Sequence, residues 1–148
     1  MNVGTLLDPV ERKAVVGRLR RVTPETKPSW GKLDAPRMLC HLADQMRAAV
    51  GDLPTRPVGN FLHRTLLKWV VVETGFKAPP GKVMTAPEML SSTPTSWDQD
   101  LAACEALIAR VGAGEAHAAH PTFGPLSTEQ WGRLCWKHLD HHLRQFGQ

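Results

Sequence analysis

Apolar residues recur along most of this chain at spacings of three and four with polar side chains between them, the period of a helix that buries one face. Asp8-Pro9 supplies a capping carboxylate and a proline suited to the first helical turn. Val10, Val15, Val16 and Leu19 follow at helical spacing, which predicts a first helix ending before Pro24. Asp34-Ala35-Pro36 repeats that start. Met38, Leu39, Leu42, Met46 and Ala49 then form the stripe of a second helix that stops at Gly51. Ser96 caps a further helix over residues 97–111, in which Trp97, Leu101, Cys104, Leu107, Ile108 and Val111 share a face. Ser127-Thr128-Glu129-Gln130 matches a capping box and opens the last helix, residues 127–146.

The stretches between these helices are rich in proline and glycine. Residues 23–32 hold Pro24, Pro28 and Gly31 around Trp30, a large ring predicted to seal one end of the molecule. Residues 52–60 read as a loop. Residues 61–73 carry an apolar face and are predicted helical, although Val70, Val71 and Val72 also suit a strand. From 76 to 94 the chain has Pro79-Pro80-Gly81, Pro87 and Pro94 and little expected regular structure. Residues 113–125 form a Gly/Ala/Pro connector carrying His117 and His120; their H-x-x-H spacing suits a metal, but a surface loop is the better reading. The predicted fold is all-α, a single domain over residues 1–148 in which long helices pack as an up-and-down bundle.

On a wheel at about 100° per residue, the last helix places Trp131, Cys135, Leu139, Leu143 and Phe146 on one arc. His138 and His142 fall on that same arc, while Arg133, Lys137, Asp140 and Arg144 take the other side. Two imidazoles four residues apart can grip one ion together, or they are core histidines satisfied by hydrogen bonds. The residues alone leave both readings open. His141 lies at the boundary, a neighbour of the pair rather than a ligand. On the second helix, periodicity places His41 at the rim of the stripe and Asp44 on the surface. Cys135, one turn before His138, is expected beside the pair, either as a small buried hydrophobe or as a fourth ligand.

Composition narrows the classes. The 148 residues carry a net charge of +4, and positive residues are dense from Arg12 to Arg37, but no recognition helix or aromatic strand motif accompanies them. A solvated face is the expectation, with no nucleic acid as partner. The longest apolar run, residues 69–72, is too short to span a bilayer, so no membrane partner is expected either. The start of the chain has Asp8 and Glu11 and no signal-like apolar core, which points to a cytoplasmic protein. Cys40, Cys104 and Cys135 lack C-x-x-C spacing and are expected to be free thiols. P-loop, G-x-G-x-x-G, H-E-x-x-H and G-x-S-x-G motifs are all missing.

Trp30-Gly-Lys-Leu33, Met38-Leu-Cys-His41-Leu-Ala-Asp44-Gln45 and His120-Pro-Thr-Phe-Gly-Pro125, followed by Trp131-Gly-Arg-Leu-Cys-Trp136-Lys-His138-Leu-Asp-His141-His142-Leu-Arg-Gln145, resemble the DinB/YfiT-like metal-binding four-helix bundles. Within that superfamily the likeness is to a branch with no assigned reaction. The resemblance implies a four-helix bundle, here with an extra helix and a Pro-rich crossover loop. It implies that His41, His138 and His142 bind a divalent metal, zinc or nickel. Relatives of this kind activate a low-molecular-weight thiol for transfer, or act as hydrolases. Transfer of a thiol to a small-molecule substrate is the first expectation. Hydrolysis is the second and needs a general base, for which Asp44 is the nominee. Residues 76–94 and 120–125 are expected to frame the open coordination position, with His120 as an extra polar group. The competing class is a non-catalytic bundle, stabilised by its metal and acting as a stress-related binding module. A homodimer is compatible with either.

Overall fold

The computed structural model describes residues 3–80 and 85–148; residues 81–84, part of the predicted Pro-rich stretch, lie outside the described residues. Four α-helices carry the fold: α1 (Pro9–Leu19), α2 (Ala35–Val50), α3 (Trp97–Gly112) and α4 (Thr128–Gln145). Each starts where a short polar side chain takes up an otherwise orphaned N–H. Asp8 accepts from Val10, Asp34 from Arg37 and Ser96 from Gln99, and Ser127 and Gln130 complete a reciprocal capping box. Gly51, at φ 87°, ends α2 in the left-handed conformation that glycine adopts without steric penalty.

The helices pack as a bundle in which α2 touches α3 and α4, and α1 touches α3 and α4. Leu6, Leu19, Met38, Leu42, Met46, Ile108, Trp131, Leu139 and Leu143 meet in its core, where they are almost wholly removed from water. Residues N-terminal to α1 lie across α4. There the N–H of Leu6 donates to the carbonyl of Gly132 (3.1 Å), and a Cβ on Gly132 would stand 2.7 Å from Thr5 Oγ1. The all-α prediction holds, and the described residues contain no strand, only an isolated bridge between His120 and Gly124.

Two parts depart from the wheel. First, α2 is buried nearly all round, because a 3-10 turn at Pro87–Leu90 covers the side that α3 and α4 leave open. His41 and Asp44, expected at the rim and the surface, are 4% and 1% exposed. Second, residues 61–73 are helical but mostly wound as π-helix, at His63–Leu67 and Trp69–Glu73. The hydroxyls of Thr65 and Thr74 donate to the carbonyls of Phe61 and Val70, four residues back, and compete with the ordinary i→i−4 ladder. The N–H of Lys68 accordingly reaches the carbonyl of His63, five residues back.

Candidate metal centre

Helix α2 presents His41, and α4 presents His138 and His142 one turn apart, so three rings meet where the two helices face each other. Their centroids form a near-equilateral triangle of 4.6, 4.8 and 5.0 Å, each pair nearly perpendicular. One ring nitrogen from each lies within 4.8 Å of the other two, so the group could hold a metal ion. His41 is buried, and His138 and His142 are partly exposed.

The hydrogen bonds define the tautomers. His41 Nδ1 stands 2.8 Å from the carbonyl of Met89 in the 3-10 turn; a carbonyl only accepts, so Nδ1 carries the proton and Nε2 keeps its lone pair. His142 Nδ1 lies 2.7 Å from Gln145 Oε1, and Gln145 Nε2 donates to the carbonyl of Trp30 (2.8 Å), which fixes the amide so that Oε1 must be the acceptor. Gly31, at φ 77°, makes room for this contact, since a Cβ there would lie 2.9 Å from Gln145 Nε2. His138 Nε2 is 2.8 Å from His41 Nε2 and donates to it, leaving His138 Nδ1 buried with no partner among the described residues.

Electrostatics favour neutral rings. Burial lowers the pKa of His41, against an opposing push from the Met89 carbonyl and Asp44. His138 lies well below the usual imidazole value through burial and the charges of His41 and His142, and His142 is pushed down to about 3 by burial and His41. Neutral imidazoles are the form that binds metals. The three neutral rings could therefore hold a metal ion together. An ion there would be held by one ring nitrogen from each of His41, His138 and His142. The proton on His138 Nε2 must then leave, and the bare Nδ1 can take it up.

None of the other candidates contributes a ligand atom to this cluster. Asp44 points elsewhere: Oδ1 accepts from Arg47 (2.9 Å) and from the hydroxyl of Ser92 (2.5 Å), and Oδ2 from the N–H of Ser92. It lines a separate cavity of about 310 Å³ with Cys40, Arg47 and Ser92, which none of the three histidines lines. Cys135 is buried in the apolar core, where desolvation pushes its thiol up to about 12, the behaviour of a small hydrophobe. Its sulfur is not among the gathered atoms. All three cysteines are free. His120 stacks on Phe123 and leans on Trp131; its Nδ1 accepts from the N–H groups of Thr122 and Phe123, and burial pulls it down to about 4. His117 is exposed and does not join it at an ion site. His141 sits beside the cluster, its ring 5.0 Å from His142 and 6.0 Å from Trp30.

Sequence reasoning assigned no role to Gln145 or to the Met89 carbonyl. The signal for Gln145 was present: a polar residue three positions after His142 that falls within about 20° of His138 on the wheel. Nothing local could reveal Met89, which is 48 residues from His41.

Fold and site together define an all-α bundle with three inward histidines shared between its second and last helices. The chain belongs to the family described as Protein of unknown function (DUF1569), whose pattern it matches over residues 7–148. No curated protein and no solved structure matches it. No helix among the described residues is long and apolar enough to cross a membrane.

Proposed function

We propose that this protein is a metal-dependent enzyme of the DinB-like kind, with zinc or nickel held by His41, His138 and His142, and that it transfers a low-molecular-weight thiol to an electrophilic small molecule. The observation that carries the reading is the convergence of three neutral imidazoles from two helices, two of them with Nδ1–H anchored so that Nε2 faces inward. An ion on three histidines keeps a coordination position open and lowers the pKa of a thiol or water there. His41 and His142 are oriented by Met89 and Gln145, and the Pro87–Leu90 turn covers the α2 side. The partial exposure of His138 and His142 leaves a side for substrate to approach. In the transfer, the thiol sulfur bonds to the electrophilic carbon, the leaving group departs with its electron pair, and the thiol proton passes to solvent.

The disposition of carboxylates supports transfer over hydrolysis. Hydrolysis needs a general base, and its nominee, Asp44, has both oxygens committed to Arg47 and Ser92. A thiol, with an ordinary pKa of about 8.5 against about 15.7 for water, would need far less help than water to ionise on the metal and so depends less on such a base.

The test is metal analysis of protein purified without a histidine tag, followed by a screen of cellular thiols against an electrophilic reporter. About one equivalent of zinc or nickel is expected. His138→Ala should lose the metal and the turnover together, because two imidazoles hold a divalent ion too weakly. Full activity in metal-free His138→Ala protein would overturn the reading in favour of a non-catalytic binding module.

A further inference from the structure

The segment 61–73 is attached to the body the wrong way round for a surface helix. Apart from Val72, fully buried in the core, and Val71 packed beside it at the C-terminal end, polar groups make the attachments: Lys68 Nζ donates to the carbonyl of Pro125 (2.9 Å), and Glu73 accepts from Gln130 (2.7 Å) and Arg133. Lys137 donates to the carbonyls of Val71 and Thr74. The N–H of Val58, just upstream, donates to the carbonyl of Pro121 (2.8 Å). The large apolar side chains turn to water instead. Phe61 is 83% exposed and Trp69 59%, Leu62 and Leu66 on the same helix are exposed with them, and Phe76, just beyond the helix, is exposed as well. Scattered exposed apolar residues need no explanation, whereas a contiguous array of this size marks a contact surface.

The charge around the array says what covers it. Between Asp52 and Glu73 the chain holds Arg56, Arg64 and Lys68 and no acidic residue, and Lys77 follows. Arg64 and Lys68 have no acidic partner among the described residues. The acids that flank the stretch are engaged, Asp52 by Arg110 and Glu73 by Arg133. Aromatic and leucine side chains exposed among uncompensated cations match the chemistry of a segment lying in the interface of an anionic bilayer. Arg56 pairs with Glu88, but a second copy still fits less well: pairing the face with itself about a two-fold axis would set Arg64 and Lys68 against their own counterparts.

We propose that residues 61–76 dock the protein peripherally on an anionic lipid surface, with Phe61, Leu62, Leu66 and Trp69 inserted among the headgroups. The sequence contains no spanning stretch, but docking of this kind requires none.

The experiment is co-sedimentation of the full chain with vesicles of phosphatidylcholine alone or mixed equally with phosphatidylglycerol, at low and high salt. Binding to the anionic mixture that falls at high salt, with little on phosphatidylcholine alone, is the expected result. Leu66→Asn with Trp69→Asn should cut binding at least tenfold while leaving the circular dichroism and melting curve unchanged, since both side chains are exposed. Arg64→Gln should weaken it about fivefold, the effect of one charge near such a surface. No binding to the anionic vesicles, or binding indifferent to the double substitution, would overturn the proposal. So would sedimentation showing a dimer that the double substitution splits, since a second copy would then be the occupant.

Discussion

Helix α4 and the segment 61–73 break the same rule in opposite directions. On α4 the inward arc of Trp131, Leu139 and Leu143 is interrupted by His138 and His142, polar groups where apolar ones would pack without hydrogen-bond demands. In the segment 61–73 the large apolar residues Phe61, Leu62, Leu66 and Trp69 face out, and apart from Val71 and Val72 at its C-terminal end it is polar groups that hold the chain to its neighbours. Folding alone rewards neither arrangement. Each inversion therefore marks what the remaining chain does not explain: the buried histidines point to an ion, and the exposed aromatics to a surface. The two also differ in how they are held. Met89, Gln145 and Trp30 fix the rings from three separate stretches, whereas the segment 61–73 leaves its apolar side uncovered.

The comparison is most sharply tested by acid, because burial of histidines carries a pH signature that exposed leucines do not. His142 is pushed from 6.5 down to about 3 and His120 to about 4, with burial the leading cause in both, and His138 also lies well below 6.5. Each binds its proton more readily in the unfolded chain. Stability of the metal-free protein should therefore be fully present above about pH 6.5 and fall progressively as the pH drops toward 3 to 4. Melting temperatures between about pH 6.5 and 5, above the ordinary carboxylate range, isolate the histidines. A flat profile there would mean that the rings are not desolvated as their packing indicates. Leu66→Asn should leave the slope untouched, whereas His120→Phe should reduce it.

A smaller effect is expected at Gln145, whose amide accepts from His142 Nδ1 and ties the ring to the Trp30 carbonyl. Groups that orient metal-binding histidines contribute about 10–100-fold in affinity. Gln145→Leu should weaken zinc or nickel binding by that factor, measured by competition with a chromophoric chelator, while Gln145→Glu, which keeps the acceptor, should retain most of it. Equal loss in both variants would point to a packing role and remove Gln145 from the site.

How far the sequence disclosed these features follows from their range. The caps at Asp8, Asp34, Ser96 and Ser127 are local, three residues or fewer from the N–H groups they satisfy, and all four occur where predicted. His138 and His142 were legible because one wheel contains both. His41 was not, because the Pro87–Leu90 turn that buries it comes from far along the chain; only resemblance to a family placed it with the other two. Asp44 failed for the same reason, its partner Ser92 also being distant in sequence. Residues 61–73 failed differently. Their apolar content correctly predicted a helix, but composition does not say which side meets the body, and the Thr65 and Thr74 hydroxyls alter the winding on which any wheel depends.

The smallest expected effect is the most direct check on that last point. Leucine to alanine in a packed core costs about 2–5 kcal/mol through lost transfer energy and the cavity left behind, and Leu139, 1% exposed on α4, should fall in that range. Leu66 is more than half exposed, so its side chain contributes little burial. Leu66→Ala should shift stability by no more than about 0.5 kcal/mol, which makes the contrast with Leu139 the quantity to read. Denaturant unfolding of both variants at protein concentrations spanning two decades supplies the measurement. If Leu66→Ala lost 2 kcal/mol or more at every concentration, roughly the cost of a buried leucine, the segment would be packed in solution against its own chain, and the contrast with α4 would disappear. A loss that grew with concentration would instead show that a second copy covers the face, because only the folded dimer gains from mass action.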